Sequence, residues 1–594
     1  MKQLHKTIRT GAALGLLSLA LVGCSDFLEI KPRDIVTEDN FWNEKADVDQ
    51  MVAGCYASMQ SDEFIRRCIV WGELRSENIY PGSKVQDNED LYQALRENLL
   101  TTNSYCNWGI FYTVINKCNT IIRNAPLVSQ KDPSYRMSDV QATIAEMTAL
   151  RSLCYFYLIR AFDEVPFTRD AVTQEDEVQY LPASSFDYVL GELIKDLEAV
   201  KGNSLEHHAS INQNQDGVGK TYNSNCNRIT RPAINAMLTE MYVWQRNFDK
   251  AIECAEEVLA AKRKDYEREY SRQTSLTYSS PQLLTAPNGL SVPLYQSSQS
   301  NAANVADAIF GTGNSFESLF ELSFNYSSSQ NNYIQSTALA TLYGGYPVRD
   351  GNNGAGFLAV NPNIVSDVFN GTNAFFANNY DTRYYTSFQP VDQNYGEGYV
   401  RKGVASAFRL EPNVQNNIQF NSSAESAFSH HSDFDRNWIF YRLTDVMLLE
   451  AEAYLMKATD EENETNKELL DKAFDLIYLV NARSVTDRTK YLAANSPVAA
   501  NRGSLIQLLR KERNAELMFE GKRFFDLVRY ARFDGNTDIV KNTVTSKISS
   551  GGTGLFPSMP YLFWPYAKEE VQVNPYLVQK SIYGAGRTTY DINE

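Results

Sequence analysis

The sequence predicts a mostly α-helical protein: a scaffold of about four antiparallel helix pairs, with a loop-rich remainder that carries short strands. Three observations predict it. Apolar residues recur at three- and four-residue spacing on both sides of the chain's middle. The run 233–261 has the pattern of two amphipathic helices joined by a short turn. The middle itself loses both that period and its charge.

Residues 24–43 read as an extended leader, and Asp47 to Met59 opens the helical part. Ile110, Val114, Ile115, Cys118, Ile121 and Ile122 line one face of a helix over about 107–125. Ile144, Met147, Leu150, Leu153, Cys154, Tyr157, Leu158 and Phe162 do the same before Pro166 stops the next one. Phe186 to Val200 is a further helix. In 233–261, Leu238 and Tyr242 line the first helix and Phe248, Ala251, Ala255 and Val258 the second, with Arg246 and Asn247 in the turn. Small Ala at the crossing lets the helices approach closely, as in a tetratricopeptide-like unit. Residues 441–484 repeat the idea with a longer, acidic turn from Asp460 to Glu464. A pair near 144–200 with an insertion, and one joining 107–125 to its preceding segment, bring the total to about four.

Residues 265–435 differ. Between 271 and 380 there are seven charged residues against fifteen Phe and Tyr, and between 288 and 425 there are 20 Asn and 12 Gly. This predicts long loops with short strands, ordered by aromatics. Helices return over 505–530, and a loop-rich tail follows from 534. The chain thus divides into 1–23, 24–264, 265–435 and 436–594.

Composition limits function. The chain has 594 residues, 43% hydrophobic and 22% charged, which is globular and excludes a mainly disordered protein. A net charge of −16 argues against nucleic-acid binding, which needs a basic face. Mean hydropathy is −0.39, and the one long apolar run, Gly11 to Val22, is too short to span a bilayer. Preceded by Lys2, Lys6 and Arg9 and followed by Gly23-Cys24, it reads as an export signal ending in a lipobox. Cys24 is then the lipidated first residue of the mature chain, anchored to a membrane leaflet. Cleavage leaves 571 residues and a net charge of −19. Seven other cysteines remain, with no Cys-x-x-Cys spacing for zinc and no pairing legible.

Catalytic and metal motifs find no support. Gly219-Lys220-Thr221 lacks the earlier glycine of a phosphate loop, since position 214 is Asn. Asn212-x-Asn214-x-Asp216-Gly217 echoes a calcium loop, but Asn223 stands where a bidentate Glu belongs. The adjacent pairs His207-His208 and His430-His431 do not share a helix face. There is no Gly-x-Ser-x-Gly elbow and no His-Glu-x-x-His helix. No catalytic residue, cofactor or metal is expected. The charged run 510–516 with Arg523, Asp526 and Arg529 reads as an ion-pair lattice along a helix.

Several motifs in order resemble the SusD/RagB family of Bacteroidetes outer-membrane lipoproteins. They are Cys24-Ser-Asp-Phe-Leu-Glu with Pro32, the segments 149–167 and 227–244, Tyr441 to Val446 running into Glu450-Ala451-Glu452-Ala453, and LLRKERNAELMFEGKRFFDLVRY at 508–530. Trp564-Pro565, Asn574-Pro575 and Gln579 close the pattern. Asp163-Glu164 departs from it, standing where Gly-Asp is commoner, and 265–312 is longer than the pattern. The resemblance implies a non-enzymatic, lipid-anchored outer-membrane protein at the cell surface. It would bind a glycan, or alternatively a peptide, and deliver it to a SusC-like TonB-dependent transporter. It places ligand contacts in the loop after Glu77 and in the central insertion, which carries Tyr278, Tyr295, Tyr326 and Tyr333. A sugar is held by a flat aromatic on its C–H face and by polar side chains on its rim. The candidate binding residues are therefore Trp71, Glu77, Tyr80, Tyr92 and Tyr295; Trp108, Tyr112 and Asn116 read as packing residues.

Overall fold

The computed structural model describes residues 41–208, 224–270, 280–297, much of 302–366, 381–389, short pieces of 398–420, and 436–485, 501–547 and 555–583. The export signal, Cys24, the 212–223 loops and His430-His431 lie outside the described residues.

Eleven helices carry the scaffold: α1 (Lys45–Met59), α2 (Asp62–Ile69), α3 (Gly109–Lys131), α4 (Met137–Phe162), α5 (Phe186–Val200), α6 (Arg231–Gln245), α7 (Phe248–Glu269), α8 (Leu443–Lys457), α9 (Glu464–Ser484), α10 (Arg502–Leu517) and α11 (Arg523–Asp534). The pairs are α1 with α3, α4 with α5, α6 with α7, and α8 with α9. Each pair leans on the next through α3–α4, α5–α6 and α7–α8, and α10 closes the stack against α8 and α9. This is the four-pair scaffold the periodicity predicts.

Local chemistry sets the helix ends. Thr230 caps α6 by accepting from the Ala233 N–H, and Asn247 caps α7 by accepting from Lys250. Between them Arg246 takes a left-handed conformation at φ 64°, so the predicted two-residue turn is present. Ser185 caps α5 and Asn463 caps α9 in the same way. Helix α4 ends before Pro166, where Asp163 turns the chain at φ 66°, ψ −55° and the Glu164 N–H donates to the Phe162 carbonyl at 2.8 Å. That is a γ-turn of the rare, strained hand. Glycine adopts it without a Cβ penalty, whereas Asp163 gains only a part-exposed ion pair to Arg532 at 3.2 Å. Asp163→Gly is expected to raise the unfolding free energy by about 1 kcal/mol, read from urea denaturation.

Every sheet among the described residues has two strands. The pairs that matter here are β1 (Ile79–Pro81) with β5 (Leu358–Val360), β2 (Gln282–Thr285) with β3 (Ser291–Leu294), and β4 (Ser318–Leu322) with β6 (Trp438–Arg442). Strand β6 runs straight into α8, so the β4–β6 pair ties the central region to the scaffold. Both strands are wholly buried. One hydrophobic core runs from Trp42 to Leu577, and a small second one gathers Tyr295, Val305, Ile309, Phe316 and Ile439. The seven described cysteines are free and buried, which fits Cys154 and Cys254 as small core residues.

Candidate functional site

The segment 70–82 is where the candidate residues cluster. It begins as one π-helical turn, Val70–Leu74, that continues α2 into the core. Trp71 is fully buried there: its Nε1 donates to the Tyr105 carbonyl at 2.9 Å, Phe111 lies 4.8 Å from its ring and Phe162 meets it edge-on at 5.2 Å. With its surfaces occupied, Trp71 has no stacking face for a ligand. Trp71 is therefore corrected from candidate ligand contact to core residue, one buried turn before Pro81-Gly82.

Glu73 is buried and accepts from Asn78 Nδ2 (2.9 Å) and the Phe519 N–H (3.1 Å), with Lys522 N–H at 3.3 Å. It thereby clamps the segment to the break between α10 and α11, where Phe519 and Gly521 have positive φ. Glu77 is buried too and is corrected from ligand contact to structural anchor. Its Oε1 accepts from Arg523 Nε at 2.8 Å and from Asn514 Nδ2 at 3.0 Å. Arg75 pairs with Glu97 at 2.7 Å, donates to the Tyr561 and Leu562 carbonyls, and lies 4.5 Å from the Phe524 ring.

These pairs belong to a larger buried lattice. Arg442 pairs with Glu516 and Glu520, Arg483 with Glu516 and Glu317, and Arg383 with Asp381 and Glu512. Arg513 joins Asp445 to Asp526, and Arg529 joins Glu452 to Asp526. The structural reading of the 510–529 run is right, but its geometry differs from the expectation. Only Arg529–Asp526 within that run is a same-helix neighbour pair; Arg513 reaches Asp526 from α10 to α11, and other partners come from β6, α8, α9, the 73–78 segment, Arg383 and Lys402. A buried cation needs a matched anion at close range, and for Arg442, Arg483, Arg513 and Arg523 the fold brings one from another element.

Beyond Glu77 the chain reaches the surface as β1. Tyr80 stands opposite Ala359 in the β1–β5 register, and the Asn361 N–H donates to the Asn78 carbonyl at 3.0 Å. Asn361 Nδ2 donates to the Glu77 carbonyl at 2.8 Å. At Gly82 an added Cβ would lie 2.5 Å from the Gly356 oxygen, so the two backbones pass closer than a side chain allows. The two segments expected to bear ligand contacts are therefore joined by backbone hydrogen bonds. Tyr80 and Phe357 are half-buried at this junction. Tyr92, on the short helix Glu89–Leu95, is also half-buried, with the Arg96 guanidinium 5.3 Å from its ring centre.

Tyr295 is corrected. It is 4% exposed, its hydroxyl accepts from the Phe316 N–H at 3.0 Å, and its ring fills the second core. Tyr278 lies outside the described residues, and Tyr326 stands opposite Tyr333 in the antiparallel register of strands 325–327 and 332–334. Trp108, Tyr112 and Asn116 are packing residues as expected: Trp108 is buried against Phe162 and Tyr566, the Tyr112 hydroxyl donates to the Pro166 carbonyl at 2.6 Å, and Asn116 exchanges two bonds with Val172. His207 and His208 face different partners, Asp265 and the Ile229 carbonyl.

Comparison with known proteins places this architecture. Residues 316–583 match the family model described as the SusD family. The SusD-like protein P25 of Formosa agariphila is 22% identical over 590 residues, spanning 96% of this chain and 98% of that protein. Over 316–583 the chain thus carries the sequence pattern of the SusD family. A second SusD-like protein of the same organism, P38, is 30% identical over 193 residues, 32% of this chain and 36% of that protein's own length. Two solved structures share the SusD fold. One is a SusD superfamily protein from Bacteroides vulgatus (TM-score 0.62, 15% identity, 91% of this chain and 99% of that one). The other is surface glycan-binding protein A from Bacteroides thetaiotaomicron, in complex with laminarihexaose (TM-score 0.58, 16% identity, 90% and 99%). The matched segment contains the motifs from 441 to 579. Among the described residues no helix is long and apolar enough to cross a membrane.

Proposed function

We propose that the protein is a lipid-anchored outer-membrane receptor at the cell surface that binds a glycan and passes it, chemically unaltered, to a SusC-like TonB-dependent transporter. The observation that carries this reading is the β1–β5 junction. It holds half-buried Tyr80 and Phe357 beside an Asn-rich insertion, on a fold shared nearly end to end with a laminarihexaose-bound protein. Aromatic rings there supply apolar faces for sugar C–H groups, and the Asn side chains and backbone of the insertion supply the polar rim. Individually weak contacts of this kind give modest affinity, which suits handover. Catalysis plays no part in this reading.

Tyr80→Ala is expected to weaken glycan binding about tenfold without changing the unfolding midpoint, read by calorimetric titration against a polysaccharide panel that includes laminarin. Unchanged affinity in Tyr80→Ala and in Tyr92→Ala alike would remove this site from the account. For the anchor, Cys24→Ala is expected to move the protein from the membrane to the soluble fraction with the same circular dichroism; persistent attachment contradicts lipidation at Cys24.

A further inference from the structure

Helices α7, α8 and α9, with the turn between β2 and β3, line a solvent-open cavity of about 720 Å³. None of the candidate glycan residues lines it. Six carboxylic acids face it against two lysines, while Leu259, Leu290, Tyr454 and Leu476 form an apolar wall. An acidic cluster alone says little, but one member is unusual. Glu450 on α8 is 3% exposed, and its Oε2 has no hydrogen-bond partner. Two residues on, Glu452 is engaged by Arg529 through both oxygens, and among the acids lining this cavity Glu450 alone has a buried oxygen left open. Buried acceptors are nearly always satisfied, and one left open into a cavity marks a place for a donor.

Glu256 faces the same point from α7 and accepts from the Tyr454 hydroxyl at 3.2 Å. Lys472 is the nearest compensating charge, but its ammonium is 2.9 Å from Glu468. Asp475 is taken by Asn288, whose N–H and Nδ2 donate to it at 3.2 and 3.0 Å. Among the described residues no three His, Cys, Asp or Glu converge closely enough to hold a metal ion. The space, the donor it lacks and the apolar wall fit a larger cation with a carbon stem. We propose that this cavity binds an organic cation, an alkylammonium or guanidinium group, with its charge between Glu450 and Glu256 and its stem along Leu259, Tyr454 and Leu476.

The proton balance gives the site a signature. Burial, reinforced by the Glu256 charge and opposed by a hydrogen bond from the Tyr454 hydroxyl and then by Lys472, pushes the Glu450 carboxyl up to about 8. A cation entering beside it expels that proton to solvent: the neutral acid becomes a carboxylate paired with the bound cation. Glu464, Glu468, Asp471 and Lys467 also face the space from α9. Ordinary carboxylates and lysines titrate outside the window between about pH 6.5 and about pH 8.5.

The test is calorimetric titration of the full chain with spermidine and, separately, with a tri-arginine peptide, at physiological salt. The expected result is saturable one-to-one binding of at least one probe, weakened at least about fivefold by Glu450→Gln and by Glu256→Gln. Wild-type affinity should rise about threefold or more from about pH 6.5 to about pH 8.5, a rise that Glu450→Gln abolishes. Gln keeps the shape of Glu, so both variants should retain the wild-type unfolding midpoint. Tighter spermidine points to free amines, and a tighter peptide points to a side chain of a protein partner; either supports the site. Absence of saturable binding to both probes, or a loss smaller than fivefold in both variants, overturns it.

Discussion

Glu516→Ala is expected to destabilise the protein by about 3–5 kcal/mol or more, the largest effect of any single substitution considered. Glu516 is 1% exposed and receives Arg442, Arg483, Arg383 and the Thr444 hydroxyl. Removing it takes a shared carboxylate from three buried guanidiniums, leaving Arg442 to Glu520, Arg483 to Glu317 and Arg383 to Asp381 and Glu512, and breaking a buried ionic network by deleting one member is strongly destabilising. Burial opposes the charge on Glu516, yet Arg483, Arg442 and Arg383 outweigh burial and hold its carboxyl far below the usual range. Asp445 behaves likewise: burial raises it, and Lys522 and Arg513 overcome that and bring it to about 2. Both groups are depressed in the folded state. Their contribution is complete above the ordinary carboxylate value near 4 and is lost as pH falls from there through about 2. Urea unfolding across that window should show stability falling steeply in the wild type. Asp445→Asn should flatten the fall while lowering stability at neutral pH.

Gly72→Ala is expected to cost about 3 kcal/mol, at the upper end for overpacking, because nothing nearby yields. Its Cβ would lie 1.8 Å from the Gly521 carbonyl oxygen and 2.5 Å from the carbonyl carbon, both backbone atoms. Gly521 in turn has φ 70°, and a Cβ there would press on Trp438 at 3.0 Å. The two glycines let the 70–74 turn lie directly on the break between α10 and α11. Forcing them apart also pulls Glu73 from the Phe519 and Lys522 N–H groups, so the segment leading to Tyr80 loses its anchor. A lowered unfolding midpoint together with weakened glycan binding is the expected pair of readings. A wild-type midpoint would show that the turn and the break do not touch.

The sequence makes the scaffold readable because its signals are local. Helix periodicity, the Arg246-Asn247 turn and the caps at Thr230 and Asn247 all act within a few residues, and the four pairs follow from them. The site was readable only in part. Which aromatic reaches the surface depends on tertiary packing: Trp71 and Tyr295 look like Tyr80 in composition and context, yet Phe111 and Phe162 cover one and the Phe316 core absorbs the other. The β1–β5 pairing joins segments nearly three hundred residues apart, and no turn signal announces it. The charged run at 510–529 carries a helical spacing that suggested neighbours, while its partners Asp445, Glu452, Arg442 and Glu77 are contributed by other elements. Glu450 was visible as part of a motif. Its lone oxygen follows from the packing of three helices and is invisible in any one of them.

The central claim is that a rigid stack of helix pairs presents loops that hold a glycan without altering it. Titration of the purified full chain with a polysaccharide panel, followed by chromatography of the recovered ligand, tests it most directly. The account predicts saturable binding to at least one glycan, recovered at its original chain length. No binding across the panel, or recovery of shortened products, would contradict it.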